Sequence, residues 1–197
     1  MTPHVERIGA IVLAGGRSAR FGRDKLAEPI DGRPMLHHVI DIVRGIASEV
    51  VVVAAPGVTP ALPMGVRLAN DTQAFEGPLA GLAAGLAAMD ASVERVIVVG
   101  GDMPTLVPAV LERLLSGLAT HEVVLLADHD GPRPLPLAAR RSRVGAAADR
   151  LTSGGERRLR ALVSDLDASV IPPAVWQADD PEGATLRDVD VPADLPS

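Results

Sequence analysis

Apolar, β-rich runs at Ile8–Ala14, Glu49–Ala55 and Arg95–Val99 are nearly continuous, with no alternation of polar and apolar positions. Strands covered on both faces of a parallel sheet have this pattern. Between the runs the period lengthens. Met35–Ala47 places apolar residues at 35, 36, 39, 40, 43 and 46, Leu79–Met89 is rich in Ala and Leu behind Pro78, and Pro108–Leu118 opens on a proline suited to a first helical turn. The β-α-β-α-β order requires right-handed crossovers and predicts an α/β fold, a Rossmann-like three-layer α/β/α sandwich with a mostly parallel sheet. Val123–Ala127 and Pro134–Ala139 flank His129-Asp130-Gly131, a turn signal that predicts an antiparallel hairpin added to that sheet. Gly145–Leu151 and Arg157–Leu166 read as short helices, and Val66–Ala69, Ala168–Ile171 and Thr185–Val189 as short strands.

Composition limits what such a fold can do. The 197 residues are 47% hydrophobic, enough for a substantial core, and no proline-rich or charge-run linker divides them, so residues 1–197 read as one domain. Phe21, Phe75 and Trp176 are the only aromatic residues, which leaves Ala, Val, Leu and Ile to fill the core and no aromatic platform for base stacking. A formal charge of −6 argues against a nucleic-acid or anionic-membrane partner. With no cysteine there are no disulfides, thiolate chemistry or zinc ribbon. His4, Glu6 and Arg7 precede an apolar stretch only as long as a strand, so neither a signal peptide nor a membrane span is expected, and a cytoplasmic address follows by default.

Positive charge is local instead. Residues 11–25 pass from an apolar strand into a loop holding Gly15, Gly16 and Gly22 with Arg17, Arg20, Arg23 and Lys25. Glycines let successive backbone N–H groups converge on an anion, and the cations add charge. It is not a Walker A loop, since no Ser or Thr follows Lys25, and it lacks the G-x-G-x-x-G of a dinucleotide fingerprint. A second concentration, Arg140, Arg141, Arg143, Arg150, Arg157, Arg158 and Arg160, suits small anionic ligands in a cleft. As a loop residue Lys25 is expected to be solvated, so that its loss would change folding by only about ±0.5 kcal/mol.

Ligands of open α/β sheets collect beyond the carboxyl ends of the strands. The glycine loop, Asp71 and Asp102 each follow a strand there. Alone, Asp102-Met103-Pro104 reads as a turn that ends a strand and caps the next helix; beside a phosphate loop it reads as a magnesium ligand, because that ion takes one or two carboxylates plus phosphate oxygen. Asn70-Asp71-Thr72 is either an Asx turn or a set of acceptors for a guanine N–H edge or a ribose hydroxyl. His37 and His38 are adjacent on a helix and lack metal-pair spacing, so a surface or rim position is expected, and no serine lies in a G-x-S-x-G elbow.

The string Leu-Ala-Gly-Gly-x-Ser-x-Arg-Phe-Gly-x-Asp-Lys at residues 13–25 resembles the signature of the molybdenum cofactor guanylyltransferase family, a branch of the nucleotidyltransferases with the nucleotide-diphospho-sugar transferase type of fold. Asn70-Asp71, Gly77-Pro78-Leu79-Ala80-Gly81, Gly101-Asp102-Met103-Pro104, Gly155-Glu156-Arg157-Arg158 and Asp188-Val189-Asp190-Val191-Pro192-Ala193-Asp194-Leu195 follow in that family's order and approximate spacing. The resemblance implies transfer of GMP from GTP to molybdopterin, with release of pyrophosphate and formation of the guanine dinucleotide cofactor. It implies Arg20, Lys25 and Asp102 as catalytic residues, and Leu13, Ala14, Gly15, Gly16, Lys25, Asp71, Gly81 and Asp102 around the nucleotide, Gly81 by permitting close approach. Mg²⁺ is expected on Asp102 and Asp190, with Asp188 a weaker alternative and an acidic turn leading into a C-terminal segment the competing reading of that motif, and the acceptor phosphate on Arg157 and Arg158. Its partners would be GTP and molybdopterin or the molybdenum cofactor, with cofactor-insertion proteins and apo-molybdoenzymes downstream.

Three departures from the family pattern bear on the acceptor more than on the nucleotide. The closing motif is normally Asn-x-Asn-Thr-Pro where this chain has Asp188-Val189-Asp190-Val191-Pro192, Val53-Ala54-Ala55 stands where relatives often place Asn, and Arg133-Pro134 replaces His- or Gln-Pro. The related cytidylyl branch usually has Leu-Ala-Ala-Gly in the first loop. Competing readings are a cytidylyltransferase for the same pterin, a guanylyltransferase for another phosphorylated small molecule, or a catalytically silent nucleotide-binding assembly partner; the presence of Lys25 and Asp102 speaks against the last.

Overall fold

The computed structural model describes residues 6–15, 24–70 and 77–195. Strand β1 (Arg7–Ala14) is followed by a 3₁₀ turn at Lys25–Ala27, the two-residue strands β2 (Pro29–Ile30) and β3 (Arg33–Pro34), helix α1 (Met35–Arg44), β4 (Glu49–Ala54) and β5 (Arg67–Asn70). Helix α2 (Pro78–Ala88), β6 (Val93–Gly100), α3 (Pro108–Gly117), β7 (Val123–Asp128) and β8 (Gly131–Arg140) come next. The chain closes with α4 (Arg141–Ser153), α5 (Ala161–Asp165), β9 (Ala168–Ile171), α6 (Pro173–Trp176) and two 3₁₀ turns at Ala184–Leu186 and Pro192–Asp194.

Among the described residues seven strands form one sheet in the order β5-β4-β1-β6-β8-β7-β9, in which only β8 runs against the others. The expected hairpin is β7–β8, closed where Asp128 pairs with Gly131. Along β1 and β4 the side chains alternate between two cores. Ala10, Val12, Val50 and Val52 pack with α1 and α3, while Ile11, Val51 and Val53 pack with α2 and α4. Both faces of each strand are therefore apolar, which is why polar alternation is missing from the sequence. Helix α2 lies close to the sheet because it presents Gly81 and Gly85 there, four apart on one face. A Cβ on Gly85 would stand 2.8 Å from Ile11 Cγ2.

Two expected elements fold differently. Arg157–Leu166 is helical only over Ala161–Asp165, because Gly155 takes φ +83° and the Glu156 carboxylate captures the N–H groups of Arg157 and Arg158. Thr185–Val189 joins no sheet. It crosses the carboxyl end of β6, and its backbone donors go to local turns and to one bond from Val189 N to Asp102 O.

Candidate active site

After β1 the chain proceeds through α1 to β4 and β5 on one side, then returns to place β6 on the other side of β1. The carboxyl ends of β1 and β6 thus border the point where strand order reverses, the position at which helix connections leave a crevice. Leu13 pairs with Gly100, and Gly101 N donates to Leu13 O at 2.9 Å, so Gly15 and Asp102 emerge side by side.

Lys25 enters this crevice from the 3₁₀ turn. The turn begins at Asp24, whose Oδ1 accepts from Leu26 N at 3.1 Å, and the Leu26 side chain anchors it over Gly101. Lys25 Nζ donates to Asp102 Oδ2 at 2.7 Å, to Val189 O at 3.0 Å and to Asp190 Oδ1 at 3.4 Å. Its side chain is only 12% exposed. Burial lowers its pKa, but the hydrogen bond and charge of Asp102, followed by those of Asp190, more than offset this and hold the ammonium above the ordinary lysine value. The expectation of a solvated loop lysine is corrected here, since its removal would leave two carboxylates facing each other without a cation.

A C-terminal strap brings Val189 and Asp190 to Lys25. Trp176, 2% exposed, donates from Nε1 to Ala127 O at 2.8 Å. Asp180 is buried, and its two carboxylate oxygens accept from Ala184 N at 3.0 Å and Thr185 N at 2.7 Å. Thr185 Oγ1 accepts from Val107 N at 3.1 Å, and Thr105 Oγ1 donates to Ala184 O at 2.9 Å. These bonds stitch the strap to the loop that follows β6. Val189 N then donates to Asp102 O at 2.9 Å, and Val189 itself packs on Ile30 and Met35. Finally, Asp194 Oδ2 accepts from Asp190 N and Val191 N, fixing the turn that presents Asp190.

Asp188 lies elsewhere, 3.8 Å from Arg133 Nη2, while Arg133 Nη1 donates to Asp128 Oδ2 at 2.8 Å. Of the two closing aspartates, only Asp190 joins Asp102. Their carboxylates and the Val189 carbonyl make an all-oxygen donor set already converging on one cation, the chemistry a hard divalent ion requires. Among the described residues no three His, Asp or Glu side chains cluster as a protein-only metal cage. The pair suits a metal whose remaining ligands are water and phosphate.

The Gly155-Glu156-Arg157-Arg158 motif forms an open depression of about 480 Å³ with Gly154. Glu156 accepts from Arg157 N, from Arg158 N and from both Nε and Nη2 of Arg158. The Arg158 guanidinium foremost, then these backbone donors, pull the Glu156 carboxyl from 4.5 to about 2. Arg158 is therefore already paired, whereas Arg157 has no side-chain partner among the described residues. The loop is docked on the start of α2, where Leu79 N donates to Arg157 O at 3.2 Å. Gly77 there has φ +93°, and a Cβ on it would meet Arg157 O at 2.7 Å. Two sequence motifs are thus in direct contact.

Gly81 is buried against the sheet, a Cβ there meeting Leu13 Cδ2 at 3.3 Å, so its smallness lets α2 approach β1. The arginine concentration also resolves into structural pairs. Arg140 bonds Leu118 O at 2.6 Å and Glu6, Arg141 bonds Leu86 O at 3.2 Å, Arg143 pairs with Glu122 and Arg150 with Asp165. Asn70 Nδ2 holds Ala55 O and Val58 O at 3.2 and 3.3 Å. His37 and His38 tie α1 to the carbonyls of Ala61 and Ile30. Gly16, Arg20 and Asp71 lie outside the described residues.

Sequence reasoning missed Val189 O, Asp180 and Thr185. The first is a backbone atom without a side-chain signature, and the other two act through a strap whose path no periodicity reveals.

Residues 10–170 match the MobA-like NTP transferase domain. A protein of Chloroflexus aggregans described as a probable molybdenum cofactor guanylyltransferase is 33% identical, the match covering 95% of this chain and 91% of the relative. A protein of Mycobacterium avium with the same description is 35% identical over 96% of this chain and 93% of its own length. Among solved structures, molybdopterin-guanine dinucleotide biosynthesis protein A from Archaeoglobus fulgidus superposes with a TM-score of 0.76 at 22% identity, covering 95% of this chain and 94% of that one. That last likeness is one of fold. Among the described residues no helix is long and apolar enough to cross a membrane.

Proposed function

The chain belongs to the MobA-like NTP transferase family, and from that premise we propose that it transfers GMP from GTP to molybdopterin, releasing pyrophosphate and forming the guanine dinucleotide cofactor. The observation that carries this reading is the convergence of Lys25, Asp102 and Asp190 at the sheet's switch point, where one cation and two carboxylates from three distant parts of the chain meet.

A phosphomonoester acceptor has a second pKa near ~6, so at neutral pH its terminal oxygen is already an ionised nucleophile and no general base is required. That oxygen attacks the α-phosphorus of GTP. One P–O bond forms, the bond from the α-phosphorus to the bridging oxygen breaks, and pyrophosphate leaves with the electron pair. The protein's task is in-line positioning and neutralisation of charge. Lys25 and Arg20 hold the triphosphate, the N–H groups of Gly15 and Gly16 add fixed dipoles, and Asp71 accepts from the guanine N–H edge. Asp102 and Asp190 would hold Mg²⁺, which when bound supplies positive charge to the phosphate oxygens. Arg157, free of a side-chain partner among the described residues, receives the acceptor phosphate, with Arg158 held beside it by Glu156.

The test is incubation with Mg²⁺, molybdenum cofactor and each of the four nucleoside triphosphates, with the product identified by mass. A guanine dinucleotide with stoichiometric pyrophosphate is expected. Equal or preferential formation of the cytosine dinucleotide would replace the nucleotide assignment, and no dinucleotide with any triphosphate would refute the acceptor.

A further inference from the structure

Resting on the reading of Asp102 and Asp190 as metal ligands, we propose that Lys25 is the resident cation of the metal cradle in the nucleotide-free protein. Its ammonium and the divalent ion compete for the same oxygens, and a triphosphate opens the cradle by drawing Lys25 onto its phosphates.

Stoichiometry is the first argument. An ammonium has three donors, and Lys25 faces three acceptors: Asp102 Oδ2 at 2.7 Å, Val189 O at 3.0 Å and Asp190 Oδ1 at 3.4 Å. No donor remains for a phosphate while all three are engaged. Accessibility is the second. Lys25 is 12% exposed, whereas the Asp102 and Asp190 side chains are 27% and 52% exposed, so the lysine is the most covered member of the cluster. A metal held by the same three oxygens, Asp102 Oδ2, Asp190 Oδ1 and Val189 O, would have to take the place Lys25 fills.

Charge supplies the third argument. Two carboxylates and one ammonium leave a single negative charge, which attracts a divalent ion only weakly. Adding the metal without displacing Lys25 would bring both cations against the same oxygens. A triphosphate removes that conflict, because the flexible lysine stem can carry its charge from carboxylate to phosphate. Metal and nucleotide therefore bind cooperatively, and by linkage each raises the affinity of the other by the same factor. The contrasting picture is a static ion pair in which Lys25 orders Asp102 and never leaves it.

Mn²⁺ serves as the probe, titrated by electron paramagnetic resonance of the free ion into the parent protein, Lys25→Met and Asp102→Asn. Each titration is repeated with a GTP analogue bearing a methylene between the α- and β-phosphates, and the Mn²⁺ that the analogue binds in a protein-free titration is subtracted before affinities are compared. Without nucleotide, Lys25→Met should bind Mn²⁺ about tenfold or more tightly than the parent, and the analogue should raise the parent's affinity by a similar factor while raising that of Lys25→Met far less. Equal nucleotide-free affinities in parent and Lys25→Met, with binding lost in Asp102→Asn, would overturn the lock and leave the metal site standing. Undiminished binding by Asp102→Asn in the presence of the analogue would remove the metal site and the lock together.

Deleting the lysine charge also favours Mn²⁺ by simple Coulomb attraction, so the parent must be observed directly. The Lys25 ammonium, followed by nitrogen NMR with diamagnetic Mg²⁺, should leave its carboxylate-bound position when Mg²⁺ and the analogue are both saturating. A resonance that stays unchanged would sink the proposal whatever the variants do.

Discussion

Lys25 finds its carboxylates 77 and 165 positions away along the chain, whereas Glu156 clamps Arg158 from a distance of two positions. The first cluster is assembled by tertiary structure around a Lys25 side chain only 12% exposed, and is stitched in place through Val189, Thr185 and Asp180. The second is an exposed loop folding on itself. In low-exposure surroundings a charge pair interacts strongly and holds one geometry, while an exposed pair is screened and contributes little to stability. Under the proposed function, the chemistry would fall to the inner cluster and acceptor capture to the outer loop.

The sharpest way to break this contrast is Asp102→Asn. If the inner cluster carries the chemistry, pyrophosphate release should fall by about 10²–10³-fold, as for other preorganised transition-state groups, while the protein remains folded. A folded Asp102→Asn enzyme with near-parental turnover would erase the distinction.

Gly77→Ala probes the contact between the outer loop and α2. The position combines φ +93° with a Cβ only 2.7 Å from the Arg157 carbonyl, so stability should drop by about 1–3 kcal/mol in denaturant unfolding. Gly81→Ala has an ordinary φ and meets only the end of Leu13 at 3.3 Å, and should cost much less. Similar losses at both positions would show that the loop and the start of α2 are not in contact as described.

Asp190 divides the inner cluster further. Asp190→Asn keeps an oxygen but loses charge, and should raise the Mg²⁺ concentration for half-maximal rate several-fold with little change in the maximum; Asp190→Ala should raise it more. An unchanged metal dependence in both would leave Asp102 as the sole carboxylate of the pair.

The smallest effect is expected at Glu156. Its carboxyl is lowered from 4.5 to about 2, so the clamp's contribution is fully present above pH 4.5 and is lost as pH falls through about 2. A carboxyl NMR titration should give a midpoint near 2, with the Arg157 and Arg158 amides moving in step. Glu156→Gln should free Arg158 yet hardly change unfolding, because the loop is exposed. A midpoint near 4.5 would show the clamp absent in solution.

Much of this architecture can be read along the chain. Continuous apolar runs reveal β1, β4 and β6 because their alternating side chains enter two cores, and the 35, 36, 39, 40, 43 pattern reveals the buried stripe of α1. Likewise, the place of Asp102 at the crevice is legible because it follows β6 in a sheet whose crevice position is set by topology. Glycine is less transparent. Gly77 and Gly81 stand in one motif, but one needs its positive φ and the other only its missing Cβ, and both needs look the same in a string of letters.

By itself, then, the sequence determined the layered sheet, the strand end that Asp102 follows, and the order of the motifs, since periodicity and local backbone preference act over a few residues. Tertiary structure alone decided that Asp190 rather than Asp188 joins Asp102, that the Val189 carbonyl completes the lysine's partners, and that most of the clustered arginines are already paired. Those outcomes depend on where the C-terminal strap crosses β6 and which face each side chain then presents. Hydrogen bonds between segments tens of residues apart set that path, and no local pattern encodes it.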